Sequence, residues 1–136
     1  MRKKILVVED NLQLLALLRL SFKDAGFSIS TATNGIEALK KARSLLPDAI
    51  LLDLMLPELD GFAVCETLRK GLTTSSIPIV ILTGLSGQFT RFAGFESGGT
   101  DFITKPVSPQ ALVSTIRALI DRPAQSQSKS TAIADK

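Results

Sequence analysis

Five short strand-like runs alternate with helix-like segments along the chain, and this alternation constrains the fold more than any other feature. The first, third and fourth runs are almost wholly aliphatic, as expected for strands covered on both faces of a parallel sheet. One strand followed by one helix, repeated five times, predicts an α/β fold with helices on both faces of an open parallel sheet. The predicted strands are residues 4–8, 27–32, 49–52, 77–82 and 101–104.

The segments between these runs have helical spacing and recognisable ends. Asn11 is the expected N-cap of the first helix, and Gly26 its end. The third helix is expected between residues 60 and 71, the fourth over 88–96, and the fifth after Pro106. The residues that mark these helices are Leu12, Leu15, Leu18 and Phe22, which we expect to face inward, then Ile36, Leu39, Lys40 and Arg43 in the second helix, Phe62, Val64 and Leu68 in the third, and Leu112, Ile116 and Leu119 in the fifth.

Length and composition fit a single globular domain. The chain has 136 residues, of which 45% are hydrophobic. We expect the folded domain to span 1–121, and the small polar residues of 122–136 to form a flexible tail. No apolar run approaches the roughly 18 residues of a membrane helix, and the basic start lacks a signal-peptide core. These features predict a cytoplasmic protein without membrane insertion.

The charged and reactive residues exclude several functions. The net charge of +3 comes from scattered residues, and the chain has no Trp or Tyr for base stacking, so we expect no direct nucleic-acid binding. The absence of histidine excludes catalysis, metal binding or phosphate carriage by a histidine of this polypeptide. The single cysteine, Cys65, cannot form an internal disulfide.

Polar side chains follow the strands at the ends where such folds place their sites. Glu9 and Asp10 follow the first strand, Asp53 the third, Thr83 the fourth and Lys105 the fifth. Clustered carboxylates repel unless a cation shares the pocket, and Mg²⁺ prefers such oxygen ligands. An aspartate can form an aspartyl-phosphate, while a lysine and a hydroxyl can bind phosphoryl oxygens. The pattern predicts a magnesium site with Asp53 as candidate nucleophile.

Each of these residues also has an ordinary structural explanation when taken singly. Asp10 can cap a helix, Thr83 suits any strand, and a lone lysine before proline is usually an exposed strand end. Their occurrence at the same ends of four of the five strands favours a shared site over separate structural roles.

Four motifs, taken together, resemble the receiver domain of bacterial two-component response regulators. They are VVEDN, LLDLMLPELDG, ILTG and DFITKP, and the resemblance runs from about residue 3 to 121. It implies a flavodoxin-like, doubly wound five-stranded parallel sheet of order 2-1-3-4-5 with five helices. It also implies phosphorylation of Asp53 by a histidine kinase or phosphotransfer protein. The domain would catalyse its own phosphorylation and dephosphorylation without being a conventional enzyme.

The resemblance assigns roles to individual residues. Met55 and Leu85 stand two residues beyond the phosphorylated aspartate and the threonine, where apolar side chains would shield the phosphoryl group from water. We therefore expect a slowly decaying phosphorylated state. The other implied roles are Mg²⁺ binding by Glu9, Asp10, Asp53 and the Met55 backbone carbonyl, phosphoryl contact by Thr83 and Lys105, an aromatic switch at Phe102, and a cis peptide bond before Pro106.

The phenylalanines of the fourth helix bear on the output surface. We expect Phe95 in the core, and Phe89 and Phe92 are candidates for a partner-binding surface, with core packing an open alternative for Phe89. The leading hypothesis is a stand-alone switch that signals to an effector protein through helix 4, strand 5 and helix 5. A phosphorylation-dependent dimer is a further implied state.

Three other functions compete with a stand-alone switch. The chain could be a receiver fragment of a larger response regulator or hybrid kinase, or a degenerate receiver that only binds a partner. A small aspartyl-phosphate phosphatase of the haloacid dehalogenase type fits poorly, because Met55 stands where those enzymes carry an acid.

Overall fold

A five-stranded parallel sheet forms the centre of the protein, with strand order β2-β1-β3-β4-β5, as predicted. The structure is a computed structural model that describes residues 2–84 and 88–121, with the backbone alone for 88–91. The strands are β1 (Lys4–Val8), β2 (Ser28–Ala32), β3 (Ala49–Asp53), β4 (Ile79–Thr83) and β5 (Asp101–Thr104).

Five helices connect or follow the strands, and four of them begin at a side-chain cap. Asn11, Asn34, Asp60 and Ser108 each accept a hydrogen bond from a backbone N–H three residues further on. The helices are α1 (Leu12–Asp24), α2 (Gly35–Leu45), α3 (Gly61–Lys70), α4 (Gln88–Glu96) and α5 (Pro109–Ile120). None of the helices in the described residues is long and apolar enough to cross a membrane.

Alternate residues of the strands face two separate cores. In β1, Ile5 and Val7 pack with apolar residues of α1 and α5, whereas Leu6 and Val8 pack with those of α2 and α3. Burial on both faces explains the unbroken aliphatic runs of β1, β3 and β4. The sheet is therefore the centre of a doubly wound α/β structure. Because helices cover both faces of its central strands, these strands can expose polar side chains only at their ends.

Some sequence expectations were wrong in detail. Leu12 was expected to face inward, but it is 69% exposed. It stands in the first turn of α1, next to Asn11 at the carboxyl edge of the sheet, whereas Leu15 and Leu18 lie over the strands and are buried. Strand β4 begins at Ile79 because Pro78, just before it, has no N–H to donate to a sheet.

Helix α4 approaches the sheet through a glycine. A Cβ on Gly94 would lie 2.8 Å from the Phe102 ring and 3.3 Å from Ile81 Cδ1. The expectation that Phe95 belongs to the core was wrong, since it is 45% exposed. Gly94 takes the inward position of the helix, so Phe95 lies on its flank, with its ring centroid 6.4 Å from that of Phe102.

Arg69 joins the end of α3 to two connecting loops. Its guanidinium donates to the carbonyl oxygens of Gly98, at 2.8 Å, and Ile77, at 2.7 Å. Gly98 has a φ of +108°, and a Cβ there would meet the Arg69 side chain. Burial lowers the pKa of Arg69, and the carbonyl oxygens satisfy its donors in place of a carboxylate.

Candidate functional site

Polar side chains from three strand ends meet in a cleft of about 720 Å³ at the carboxyl edge of the sheet. The loops after β1, β3 and β5 bring these side chains together, because neighbouring parallel strands end at the same edge. The cleft is lined by Glu9, Asp10, Asn11, Asp53, Leu54, Met55, Leu56, Pro57, Asp60 and Lys105.

Three carboxylates lie at the centre of this cleft. One oxygen atom from each of Glu9, Asp10 and Asp53 falls within 4.8 Å of the other two. Glu9 is 1% and Asp53 is 3% exposed, whereas Asp10 faces solvent. A central strand positions Asp53, since β3 lies between β1 and β4.

Lys105 supplies a positive charge to this group. Its Nζ donates to Glu9 Oε1 at 2.9 Å and to Asp53 Oδ2 at 3.2 Å. Burial by itself would lower the pKa of Lys105, but the hydrogen bond to Glu9 and the charge of Asp53 outweigh burial and raise it. The amine therefore stays protonated at neutral pH, and one cation serves two buried carboxylates.

The electrostatics of Glu9 suit a divalent cation. Burial raises its pKa, and the neighbouring Asp53 adds to this effect, while the hydrogen bond from Lys105 opposes it. Three carboxylates with one ammonium group carry excess negative charge, and two of the carboxylates are buried. Their oxygens are the ligands that Mg²⁺ prefers, so the residues present fit this ion.

Backbone N–H groups orient the two buried carboxylates. The Asn11 N–H donates to Glu9 Oε2 at 3.1 Å, and the Met55 N–H donates to Asp53 Oδ1 at 3.1 Å. The sequence does not reveal these groups, because every non-proline residue has a backbone N–H and only the loop conformation places it.

Gly61 allows α3 to begin close to the Asp53 loop. A Cβ at this position would lie 2.6 Å from the Asp53 carbonyl oxygen and 2.7 Å from Leu54 Cα. The Gly61 N–H also donates to the Leu54 carbonyl oxygen at 3.0 Å. A residue without a side chain is required here if helix and strand are to keep this distance.

Thr83 and Lys105 lie at the ends of neighbouring strands. Thr83 is fully buried, and its carbonyl oxygen accepts a hydrogen bond from the Lys105 N–H at 2.7 Å. The peptide bond between Lys105 and Pro106 is cis. The Phe102 ring is buried and points inward in this structure.

The remaining predicted residues lie at the margin of the cleft, on the surface of α4 or outside the described residues. Met55 lines the cleft but is 59% exposed, so it stands at the rim. Phe92 is exposed on α4. Leu85, the Phe89 side chain and the tail predicted for 122–136 lie outside the described residues.

Comparison with known proteins identifies relatives over most of the chain. Residues 5–117 match the family described as the response regulator receiver domain. The alkaline phosphatase synthesis transcriptional regulatory protein PhoP of Bacillus subtilis is 42% identical over 122 residues, which is 90% of this chain and 50% of that protein. The chain thus spans about half the length of the first curated relatives it matches.

Two solved structures have the same fold, and this chain matches almost the full length of each. The receiver domain of a Francisella response regulator is 30% identical with a TM-score of 0.83, over 89% of this chain and 98% of that one. The receiver domain of a sensor histidine kinase from Pseudomonas aeruginosa PAO1 is 28% identical with a TM-score of 0.83. The match covers 90% of this chain and 100% of that one. That second structure has a magnesium ion coordinated in its active site cleft.

Proposed function

The chain belongs to the family of response regulator receiver domains, and we propose that it is a switch phosphorylated on Asp53. Members of this family are phosphoacceptor modules of two-component signalling that work with histidine kinases and effectors. In this proposal a histidine kinase or phosphotransfer protein in the cytoplasm supplies the phosphoryl group. An Asp53 carboxylate oxygen would bond to the phosphorus as the bond between phosphorus and the donor's histidine nitrogen breaks, which leaves an aspartyl-phosphate and the free histidine of the donor.

The placement of Asp53 is the observation that carries the proposal. The carboxylate is buried at the end of a central strand, with the Met55 N–H on one oxygen and the Lys105 amine on the other. A carboxylate held in this way is oriented before a phosphodonor arrives, which lowers the entropic cost of reaction. Glu9 is equally buried, but it accepts the shorter hydrogen bond from Lys105. We therefore assign Glu9 to the magnesium site and not to phosphorylation.

Mg²⁺ is the proposed cofactor. Glu9, Asp10 and Asp53 would hold it with their carboxylates, and Met55 with its backbone carbonyl. When bound, the ion neutralises negative charge on the phosphoryl oxygens during transfer. Lys105 and the Thr83 hydroxyl would bind the oxygens of the transferred group, and Lys105 would leave its hydrogen bond to Glu9 to do so.

Phosphorylation can be tested directly on the purified protein. Incubation with acetyl phosphate and Mg²⁺ is expected to add one phosphoryl group to the intact mass. The adduct should be absent from Asp53→Asn, a nearly isosteric change, and present in Asp24→Asn, which alters an exposed aspartate of α1. An adduct on Asp53→Asn as large as on the unaltered protein would refute the assignment, and chelation of Mg²⁺ should abolish the reaction.

The proposed output is a change in the surface formed by α4, β5 and α5. Two negative charges and new acceptor oxygens on Asp53 would attract Thr83 and Lys105, which stand at the ends of β4 and β5. The exposed Phe92 on α4 supports a protein partner, either an effector or a second copy of the chain. Beryllofluoride should shift amide NMR signals along α4 and β5, and changes confined to the Asp53 loop would contradict this route.

In the leading version of this proposal, the chain is a stand-alone switch. It binds a separate effector protein and does not itself contact nucleic acid. A specific observation favours the alternative of a receiver within a longer regulator, since the chain spans about half of relatives such as PhoP. Immunodetection in the source cells separates the two, because only a longer regulator would appear at about twice the mass of this chain.

A further inference from the structure

Strand β2 forms an edge of the sheet, and among the described strands it pairs only with β1. The Ser28 N–H donates to the Lys3 carbonyl oxygen at 2.8 Å, and the Ala32 carbonyl oxygen accepts from the Glu9 N–H at 3.0 Å. Residues of a parallel strand alternate in the side to which they direct their backbone groups. Ile29 and Thr31 therefore direct N–H and C=O away from β1, along an edge that another extended chain can join.

A basic groove of about 520 Å³ runs beside this edge. Helix α1 contributes Arg19 and Lys23, helix α2 contributes Lys41, and Arg2 precedes β1. The other lining residues are Phe27 and those of 28–31, so the groove contains four cationic side chains and no carboxylate among its lining residues. A polypeptide that entered it would meet backbone groups on one side and positive charge around them.

Two of these cations already cover the strand edge. Lys41 Nζ donates to the Thr31 carbonyl oxygen, and Arg19 Nη2 donates to Thr31 Oγ1 at 3.0 Å. Lys41 Nζ also lies 3.2 Å from Glu37 Oε2. A charged side chain at an edge protects it from uncontrolled pairing. The Lys41 side chain is flexible, so the backbone N–H of an incoming strand can replace its ammonium group on the Thr31 carbonyl oxygen.

We propose that the β2 edge binds an extended acidic segment of a partner protein by strand addition. The partner's main chain would pair with Ile29 and Thr31, and its carboxylates would bind the cations of the groove. A polypeptide fits better than a nucleic acid, because only a polypeptide carries the regular amide groups that complete a strand edge. The site lies at the opposite edge of the sheet from β5, so it goes beyond the phosphorylation switch and can be occupied together with the α4, β5 and α5 surface.

The test uses the full chain and a fluorescent peptide of about ten residues that alternates Glu with Val or Thr. Fluorescence anisotropy at low salt should detect binding that weakens as salt is added. A peptide with Lys in place of Glu should not bind. An equally acidic peptide interrupted by proline should bind about tenfold more weakly, because proline removes a donor and opposes strand pairing. Equal binding of the proline peptide would overturn strand addition.

Variants of the protein locate the site. Arg19→Glu combined with Lys23→Glu should weaken peptide binding by about tenfold or more, since close like charges repel. Arg43→Glu combined with Lys70→Glu makes the same charge change at exposed positions outside the groove and should change binding less than threefold. Equal losses in the two double variants would overturn the assignment to this groove.

NMR on the unaltered protein keeps the test independent of any variant. The acidic peptide should shift the amide signals of Ile29 and Thr31, and unchanged signals at saturating peptide would overturn the proposal. Oligothymidine that competes fully with the peptide and shifts the same amides would assign the groove to polyanions in general and so also overturn it. Each result is distinct from failure of Asp53 phosphorylation, which does not involve β2.

Discussion

The ammonium group of Lys105 lies closer to Glu9 than to Asp53, at 2.9 Å from Glu9 Oε1 against 3.2 Å from Asp53 Oδ2. Two buried carboxylates thus share one cation. If Lys105 turned toward a phosphoryl group on Asp53, Glu9 would lose its nearest positive charge. A divalent cation in the cleft would compensate that loss, so the lysine and the metal site are electrostatically linked.

Lys105→Ala should lower the free energy of unfolding by about 1–3 kcal/mol in the absence of Mg²⁺, because two buried carboxylates then face each other without a cation. Added Mg²⁺ should recover part of this loss. Urea denaturation with and without the ion measures both effects. Lys70→Ala, at an exposed position of α3, is the control. An equal response of both variants to Mg²⁺ would disprove the link.

The same lysine variant should separate phosphorylation from its output. Asp53 remains available to acetyl phosphate in Lys105→Ala, but the amine that would bind a phosphoryl oxygen is gone. We expect slow phosphorylation without the amide shifts along α4 and β5. Shifts of normal size in the phosphorylated variant would remove Lys105 from the switch.

Glu58→Gly should stabilise the protein. Glu58 has a φ of 70°, in the left-handed region, where a residue with a Cβ is disfavoured by roughly 1 kcal/mol relative to glycine. Glu66→Gly, at an exposed position inside α3, should instead destabilise by about 1 kcal/mol. Thermal unfolding compares them, and a decrease in melting temperature for both variants would contradict the assignment of strain to the loop before α3.

Glu37 should make stability depend on acid pH. Its carboxylate accepts from the Thr33 N–H at 2.8 Å, and this bond, supported by Lys41, lowers the pKa of Glu37. Its stabilising effect is therefore complete above the ordinary value of 4.5 and is lost as pH falls through the lowered pKa. Glu37→Gln should cost about 0.5 kcal/mol near neutral pH.

The measurement is the difference in unfolding free energy between Glu37→Gln and the unaltered protein across the acid range. It should shrink towards zero below the lowered pKa. Glu66→Gln, on the exposed side of α3, is the control for loss of a glutamate charge outside this hydrogen bond. A difference for Glu37→Gln that grows as the pH falls would contradict the expected sign.

The lifetime of the phosphorylated state should depend on Met55 and Leu85. Neither side chain can hydrogen-bond an attacking water, so we expect slow loss of the phosphoryl group. Met55→Asn with Leu85→Glu should accelerate it, by at most about 10²–10⁴-fold, the range of general acid–base effects. The assay follows phosphorylated protein after donor removal at constant Mg²⁺. Decay within seconds, or an unchanged rate in the double variant, would contradict shielding.

The sequence was sufficient to predict the order of elements and the carboxylate cluster. Strands buried on both faces must be aliphatic, and polar groups at their ends must meet at one edge, so Glu9, Asp10 and Asp53 could be placed together without coordinates. The N-cap at Asn11 was also predicted, because the first turn of a helix needs a local acceptor.

Other features depend on contacts between distant segments, which periodicity does not reveal. Helical spacing placed Leu12 on an apolar face, and the resemblance to receiver domains placed Phe95 in the core, but neither could indicate which turns another element covers. Gly94 and Gly61 fix the approach of α4 and α3 only after the chain has folded. Lys105 lies closer to Glu9, at 2.9 Å, than to Asp53, at 3.2 Å, and so small a difference between residues far apart in sequence cannot be predicted from the sequence.

The contact between Gly94 and Phe102 has a mechanical consequence. At Gly94 the helix backbone faces the ring with no side chain between them, so the ring limits how closely this part of α4 can approach the sheet. The ring sets the separation between helix and sheet at this point, and rotation about the Phe102 Cα–Cβ bond would change the space beneath the helix. The Phe102 side-chain torsion angle would thereby influence the position of α4 on the surface of the molecule.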